Sequence, residues 1–452
     1  MSVLRRPALR LFLLTFIALY AELLCIRWIP AHVRFVSYFT NFILLASFLG
    51  LGVGILSARQ HGRLRPGLLA FPWVLLAVVV LVATARFELR IESAGVLYYG
   101  ASESGAAPPE NALVLPASFL LVALLFTCLG RPIGRLLSEV RPPLKAYALD
   151  VAGSLAGIAA FFLLSLTEQP PWIWLGGLAA VVLLLALPRL RDVLLAGAPL
   201  AAVLVIATLI GRDNWWSPYY RIGLTPMAEH PNAWVLTVNS IGHQIMQTAP
   251  EKEPFYRVPY DLFGDGAFRR ALIIGAGSGS DAAVALQHGV ERVDAVEIDP
   301  VISRLGRRYH PDQPFSDPGV TVHVDDGRAF LRRSGEQYDL IVFALPDSLT
   351  LTSQFASLRL ESFLFTEEAF AEARARLAPD GVLVLYNFYR ETWLLRKLAG
   401  MLESQFEAPP YVVSYGGWGR AAVLISGPRL NRSLAARADL NRPYSEADPP
   451  SR

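Results

Sequence analysis

The sequence predicts an α-helical multi-pass membrane domain followed by an α/β doubly wound domain, with a small β-hairpin region before the latter. Three observations support this fold class. Only 17% of the 452 residues are charged and 53% are hydrophobic, whereas a typical soluble protein carries roughly 25% charged residues. The charge is uneven, because residues 1–212 carry 17 Lys+Arg and 9 Asp+Glu, and residues 213–452 carry 24 and 29. Strand-like and helix-like segments alternate after residue 268.

The composition also excludes several classes of protein. A single soluble domain, a disordered chain and a nucleic-acid binder driven by basic charge all conflict with this charge distribution. No nucleic-acid partner is therefore expected. The two cysteines, Cys25 and Cys128, both lie in apolar runs, which excludes a disulfide framework.

The membrane domain is predicted over residues 1–212, with about seven spans. Apolar segments of suitable length lie at 9–29, 36–57, 67–85, 112–130, 147–166, 171–187 and 193–211. The last three are short, so merging two of them would change the topology. The closely spaced Gly50, Gly52 and Gly54, and the GxxxG pair Gly153 and Gly157, predict close helix packing.

One carboxylate, Glu22, lies inside the first predicted span. Such a group is costly in a bilayer unless it is paired or hydrated. Two interpretations stay open at this point. Glu22 forms a structural ion pair with Arg27, or it lies on a path for a substrate or a proton.

The remaining chain divides into three predicted parts. Residues 213–268 form a small β region, with strands at 234–238 and 243–247 around a turn at Asn239–Gly242. Residues 269–427 form a Rossmann-like domain. Its predicted strands lie at 271–274, 293–298, 320–324, 338–343 and 382–386, and its predicted helices at 281–288, 300–309, 326–333 and 366–377. Residues 411–414 and 421–425 are predicted to form a hairpin at the edge of the sheet. Residues 428–452 lack apolar periodicity and are predicted to be disordered.

A glycine loop follows the first strand of this domain. Gly275, Gly277 and Gly279 allow a tight turn and close approach of a ligand to the backbone, and the free N–H groups of the next helix can bind an anion. Glu297 ends the second strand, 22 residues after Gly275, where an acid accepts hydrogen bonds from ribose hydroxyls. Asp326 ends the third strand and could accept from an adenine amino group. Together these residues predict a nucleoside-binding site. The alternative is that the glycines and acids serve only packing and turns.

The spacing of the glycines indicates which nucleoside. The dinucleotide pattern GxGxxG requires glycine at 280, where Ser280 stands, and the third glycine comes one residue early. This favours the GxGxG loop of S-adenosylmethionine-type enzymes over a loop for NAD.

Residues 215–425 resemble the spermidine synthase family, a branch of the class I S-adenosylmethionine-dependent methyltransferase fold. The similarity rests on Gly275–Gly279, Glu297-Ile298-Asp299, Asp326-Gly327, Pro379-Asp380-Gly381, Asn239–Gln244 and Glu253–Tyr256. The hydrophobic first half, including residues 146–157, resembles bacterial members fused to a multi-pass membrane domain. The resemblance implies S-adenosylmethionine or its decarboxylated form as substrate and no metal. It implies a binding site made of Gln244, Gly275, Gly277, Ser278, Gly279, Glu297, Ile298, Asp326 and Gly327.

The chain departs from that family where the amine acceptor would bind. The family motif Asp-x-x-Asp-Pro after the fourth strand stands here as Ala344-Leu345-Pro346-Asp347-Ser348. The aspartate of the family's glycine loop, which faces the amino end of the cofactor, is Ser278, and the family's His-Glu after Tyr256 is Arg257-Val258. We expect Asp347 and Tyr256 to be the catalytic residues, with Asp347 acting as a base through a water. The alternatives are a turn role for Asp347 and packing on the hairpin for Tyr256.

These residues predict a membrane-anchored, spermidine-synthase-like transferase whose acceptor is not plain putrescine. Two alternatives stay open: a methyltransferase acting on a lipid or membrane-borne substrate, and a non-catalytic ligand-binding transporter or sensor. The expected partners are the lipid bilayer and a small-molecule or lipid acceptor, with a homodimer left open. The expected location is the bacterial plasma membrane.

The side of the membrane that the second half faces is a point of conflict. With a cytoplasmic N-terminus, twelve basic residues of the loops face the cytoplasm and four face outside. Seven spans would then place the second half outside the cell. Because S-adenosylmethionine is made in the cytoplasm, we expect the second half to be cytoplasmic, with one span more or fewer.

Overall fold

The computed structural model describes residues 6–33, 36, 41–58, 65–88, 111–228, 230–344, 363–389, 392–415 and 421–436. The chain divides into two compact units. The first comprises Met1–Ala94, Ala101–Gly223 and Val238–Ile241, and the second comprises Gly95–Gly100, Leu224–Thr237 and Gly242–Arg452.

The first unit contains one helix for each predicted apolar segment. The helices are α1 (Pro7–His32), α2 (Phe42–Ser57), α3 (Arg65–Glu88), α4 (Asn111–Glu139), α5 (Pro143–Leu166), α6 (Pro171–Ala186) and α7 (Leu190–Gly211). Among the described residues, five of them, α1, α3, α4, α5 and α7, are long and apolar enough to cross a membrane. The 16 residues of α2 and of α6 fall short of the roughly 20 that a bilayer core requires.

Glycines let two pairs of these helices pack closely, as the sequence predicted. A Cβ on Gly153 or Gly157 of α5 would lie 2.4 Å from the carbonyl oxygen of Phe12 or Phe16 in α1. On α2, a Cβ at Gly50 would lie 2.1 Å from a carbonyl oxygen of α4, whereas Gly52 has nothing within 4 Å. The backbones therefore approach each other where a side chain would not fit, and Gly52 takes no part in this packing.

Glu22 and Arg27 have different neighbours in the first unit. The Ser47 hydroxyl donates to Glu22 Oε1 at 2.9 Å. Arg27 donates to the carbonyl oxygen of Ser217 and lies over the rings of Trp174 and Trp216, 4.9 and 5.6 Å from their centroids. The structure thus gives Glu22 a hydrogen bond from Ser47, and the predicted ion pair between Glu22 and Arg27 stays a prediction.

A four-stranded sheet stands where the sequence predicted a hairpin. Its strands β1 (Asn214–Trp216), β2 (Arg221–Met227), β3 (His230–Val238) and β4 (Ile241–Met246) follow one another in order. Asn239 and Ser240 between β3 and β4 have φ of 50° and 66°, the conformation of the two-residue turns that join twisted strands. The polar, aromatic composition of residues 213–218 concealed β1, and β2 was not predicted either.

The second unit contains a seven-stranded sheet. Its strands are β5 (Arg270–Ile274), β6 (Arg292–Glu297), β7 (Val320–Val324), β8 (Tyr338–Ala344), β9 (Leu377–Phe388), β10 (Tyr411–Tyr415) and β11 (Ala421–Ser426). The spatial order is β10-β11-β9-β8-β5-β6-β7; β5 to β9 run parallel, and β11 is antiparallel to both β9 and β10. The order reverses at β5, which creates the crevice where doubly wound sheets bind ligands. This topology confirms the predicted fold class.

The helices of the second unit cover both faces of the sheet. They are α8 (Val258–Phe263), α9 (Ser280–Gln287), α10 (Pro300–Tyr309), α11 (Gly327–Arg333), α12 (Glu367–Ala375), α13 (Thr392–Phe406) and α14 (Pro428–Ala436). The sequence prediction missed α13. It was wrong about residues 428–436, where disorder was expected, because Leu430 is fully buried and the Arg429 guanidinium pairs with Asp380. β9 also begins five residues earlier than predicted, at Leu377.

Candidate functional site

The glycine loop joins the end of β5 to the start of α9, at the point where the strand order reverses. Gly275, Gly277 and Gly279 have φ of 79°, 55° and 101°, a region that residues with a side chain rarely adopt. The backbone N–H groups of Gly275 and Ala276 donate to Val296 O at 2.9 and 3.0 Å. These bonds hold the loop against β6, and the next two N–H groups, of Gly277 and Ser278, donate to the side chains of Glu297 and Gln244.

Glu297 lies directly against this loop. Its side chain is almost fully buried, and its Oε2 accepts from Gly277 N at 2.8 Å, while Oε1 accepts from Asp299 N at 2.8 Å. Burial raises the pKa of Glu297 to about 7, although the backbone hydrogen bonds act in the opposite direction. The structure therefore places the predicted ribose-binding carboxylate beside the predicted glycine bend.

The raised pKa of Glu297 gives a testable pH dependence. Ribose hydroxyls would donate to the ionised carboxylate, so nucleoside affinity should fall as the pH drops through about 7, approaching a tenfold loss per pH unit. The stability of the fold should depend on pH in the opposite direction. Between the usual pKa of 4.5 and about 7, the folded chain binds a proton at Glu297 that the unfolded chain does not bind. The folded chain therefore loses stability as the pH rises across that window. Calorimetric titrations between about pH 6 and pH 8 measure the affinity. An affinity that varies equally in Glu297→Gln would contradict this assignment.

Two aspartates near the loop begin helices. Asp299 Oδ1 accepts from Val301 N at 2.8 Å at the start of α10, and Asp326 Oδ1 accepts from Ala329 N at 2.8 Å at the start of α11. Such caps satisfy N–H groups that a helix leaves without partners. The predicted adenine contact would therefore use the other oxygen of Asp326 or the backbone beside it.

Ile298 and Gly327, the two remaining residues predicted to bind the cofactor after β6 and β7, also lie near the loop. Ile298 follows Glu297 and is half-buried. A Cβ on Gly327 would lie 2.3 Å from Ile274 Cγ2, so glycine allows α11 to approach the end of β5. Packing therefore explains Gly327.

Gln244 of β4 contacts the loop from the other side. Its Oε1 accepts from the backbone N–H of Ser278 at 3.0 Å and from the Ser278 hydroxyl at 2.9 Å. Its Nε2 lies 3.4 Å from Ser280 Oγ. The resemblance placed Gln244 at the ligand site, and the structure brings it to the predicted loop residue Ser278.

His310, which sequence reasoning missed, supports this arrangement. It is fully buried, its Nδ1 accepts from Asp312 N at 3.2 Å, and its Nε2 lies 3.2 Å from Ser280 Oγ. Burial first, and then the charge of Lys252, lower the pKa of His310 to about 4. The ring is therefore neutral near pH 7, carries its proton on Nε2 and donates it to Ser280. No sequence pattern marked this pair, because 30 residues separate the two positions.

The end of β8 carries no acid at Ala344. Ala344 is buried and stands in register with Tyr386 of β9. The Tyr386 hydroxyl donates to Asp281 at the start of α9. Burial raises the pKa of Asp281 to about 6, although the Tyr386 hydrogen bond and the Lys252 charge oppose this. A carboxylate thus lies near the strand end where the family motif would supply one.

Of the two predicted catalytic residues, the structure describes one. Tyr256 is buried, stacks on Phe255 with ring centroids 4.9 Å apart and lies 5.3 Å from the ring of Tyr386. Asp347 and the polar stretch after it lie outside the described residues. In the part of the chain that the structure describes, no three His, Cys, Asp or Glu residues form a group that could hold a metal.

Part of this chain is similar to known proteins. Residues 258–412 match the family model of the spermine/spermidine synthase domain, which confirms the predicted resemblance over that segment. A polyamine aminopropyltransferase of Nitrosomonas europaea is 32% identical over 192 residues, which cover 40% of this chain and 56% of that protein. Polyamine aminopropyltransferase 1 of Streptomyces coelicolor is 31% identical over 170 residues, which cover 34% and 30%. The chain spans about half or less of the length of these relatives.

Two solved structures are also similar to parts of this chain. A spermidine synthase in complex with the transition state analogue AdoDATO is 19% identical, with a TM-score of 0.38, over 46% of this chain and 70% of that chain. Human methyltransferase-like protein 13 in complex with SAH is 21% identical, with a TM-score of 0.30, over 40% and 85%.

Proposed function

We propose that this chain is a membrane-anchored transferase that binds an S-adenosylmethionine-type nucleoside and transfers an alkyl group to an acceptor other than plain putrescine. The observation that carries the proposal is the position of Glu297, whose carboxylate contacts Gly277 N beneath a glycine loop at the switch point of the sheet. The names of the matched relatives, all polyamine aminopropyltransferases, support an alkyl transfer.

The chemistry that such a nucleoside supplies is a carbon made electrophilic by a neighbouring sulfonium. The acceptor attacks that carbon, the C–S bond breaks with its electron pair going to sulfur, and the acceptor's proton leaves to a base or to water. In this chain, Glu297 would hold the ribose, and the free N–H groups at the start of α9 would face the other end of the ligand. Gln244 would orient Ser278 beside it.

A methyltransferase is the second candidate, and a specific observation favours it. Ser278 and Ala344 are uncharged at two positions where the related family carries carboxylates for amines, and Ala344 is buried. Methyl transfer needs fewer charged groups, because positioning alone contributes much of the rate. The acceptor would then be a lipid or another membrane-borne nucleophile.

Calorimetry on the full chain in detergent tests the nucleoside assignment. Titration with S-adenosylmethionine and with its decarboxylated form should give saturable binding for at least one of them. Transfer of labelled methyl into a lipid extract, compared with labelled aminopropyl transfer, then separates the two candidates. A folded chain that binds neither nucleoside would end the proposal.

Membrane anchoring and sidedness are part of the proposal. Five helices of sufficient length and hydropathy support anchoring, and the cytoplasmic origin of the nucleoside supports a cytoplasmic second unit. A fluorescent reporter fused after residue 436 should be bright and a phosphatase reporter inactive. An active phosphatase at that position would place the second unit outside.

A further inference from the structure

A lysine is buried in the second unit, close to the end of β8 at Ala344, where the amine acceptor of the related family would bind. Lys252 lies between the short 3₁₀ turns Ala249–Glu251 and Pro254–Tyr256, and its side chain is 2% exposed. An ammonium group removed from water is unfavourable by several kcal/mol unless its partners compensate. The surroundings of this side chain therefore form a binding site for an ammonium group.

Three different groups surround the Lys252 ammonium. Its Nζ donates to the carbonyl oxygen of Ile245 at 3.0 Å, lies 3.2 Å from Glu253 Oε2 and lies 4.5 Å from the ring centroid of Tyr256. A carbonyl, a carboxylate and an aromatic face are the groups by which proteins recognise free alkylammonium ions. The protein's own side chain thus occupies a site of the kind that a polyamine nitrogen would use.

This site adjoins the strand end where the base is missing. The ring of Tyr256 lies 5.3 Å from that of Tyr386, which stands in register with Ala344 and donates to Asp281. The charge of Lys252 acts on the Asp281 carboxylate, as does that of Glu253. The ammonium of Lys252 therefore already pairs with Glu253 and acts electrostatically on Asp281.

We propose that Lys252 is a tethered cation that fills an ammonium-binding subsite beside Tyr256 and thereby restricts the acceptor to neutral or anionic nucleophiles. The inference rests on the proposed transferase function and deepens it by naming the class of acceptor. A diamine would bring a second positive charge to a site whose carboxylates are already neutralised. Such an approach is disfavoured, because like charges at close range repel and the low dielectric of the interior strengthens the repulsion.

Removal of the lysine should open the subsite to free amines. In Lys252→Ala, the carboxylates of Glu253 and Asp281 lose their cation, and the deleted stem leaves space for a small amine. Putrescine or ethylamine added to the full-length variant in detergent should raise its thermal midpoint saturably, by about 2–4 °C. The native chain, Lys252→Met, in which the methionine fills the space, and Lys397→Ala at an exposed lysine of α13 should show no such rise.

Two readouts keep this test independent of the proposed function. Nucleoside binding to the native chain is measured in parallel. A native chain that binds no nucleoside would end the transferase proposal, and the amine titration of Lys252→Ala would still test the ammonium subsite. A Lys252→Ala chain that folds but responds to no amine would overturn the inference. Saturable putrescine binding by the native chain, measurable even if the variant does not fold, would overturn it as well.

Discussion

Replacement of Glu297 by alanine should weaken nucleoside binding by about 10²–10⁴-fold. Two ribose hydroxyls would each lose a charge-assisted hydrogen bond, worth roughly 1.5–3 kcal/mol apiece, and about 1.4 kcal/mol corresponds to a factor of ten. The loop loses order too, because Gly277 N and Asp299 N both donate to this carboxylate. Calorimetry with the nucleoside that binds the native chain measures the effect.

Glu291 provides the matched control for this variant. It lies next to β6, its side chain is 58% exposed, and it pairs with the exposed Arg269 at 3.1 Å. A solvent-exposed pair of this kind contributes little to stability, so Glu291→Ala should bind the nucleoside as the native chain does. If Glu297→Ala, folded by circular dichroism, kept the affinity of Glu291→Ala, the site would lie elsewhere.

The second large effect is expected at Gly306 in α10. A Cβ at this position would lie 2.3 Å from the carbonyl oxygen of Ser278 and 2.7 Å from its Cα, so the glycine loop and α10 must separate to admit it. Gly306→Ala should therefore lose roughly 1–3 kcal/mol of stability. The nucleoside affinity should fall as well, because the displaced Ser278 loses its hydrogen bond to Gln244.

Gly400 in α13 separates this packing effect from helix propensity. It also lies inside a helix but has nothing within 4 Å of an added Cβ. Alanine there should stabilise the chain by up to about 1 kcal/mol, since glycine is a poor helix former. Thermal unfolding of the two full-length variants should thus shift in opposite directions. An equal rise in the thermal midpoint of both variants would mean that α10 does not pack tightly against the glycine loop.

Much of the fold could be predicted because its signals are local. The strands β5 to β8 and the helices α9 to α12 formed where apolar runs and turn residues alternate in the sequence. α14 was missed because arginines, asparagine and serine interrupt its few apolar residues; among the residues whose burial is described, Leu430 is fully buried. The early start of β9 was missed because Pro379 and Gly381 are typical of loops.

The candidate site divides in the same way. Gly277 and Glu297 could be recognised because the glycine bend and an acid at the next strand end lie on neighbouring parallel strands. The resemblance placed Gln244 at the ligand site, but the double contact of Gln244 with Ser278, 34 residues apart, was found only in the structure. The pairing of Asp281 with Tyr386 joins residues 105 apart in the chain, and no pattern in either segment indicates it.

The amino-acid order alone determined which segments are apolar helices, where the strands β5 to β8 lie, and where the glycine loop begins, because these depend on periodicity and on glycine within a few residues. Only the tertiary structure decided what surrounds each charge. In the sequence, Lys252 resembles an ordinary surface lysine in a polar stretch. Folding places its ammonium among the carbonyl oxygen of Ile245, the carboxylate of Glu253 and the ring of Tyr256. The physical reason is that desolvation and pairing depend on neighbours brought together by strand order and packing, which short-range sequence patterns do not encode.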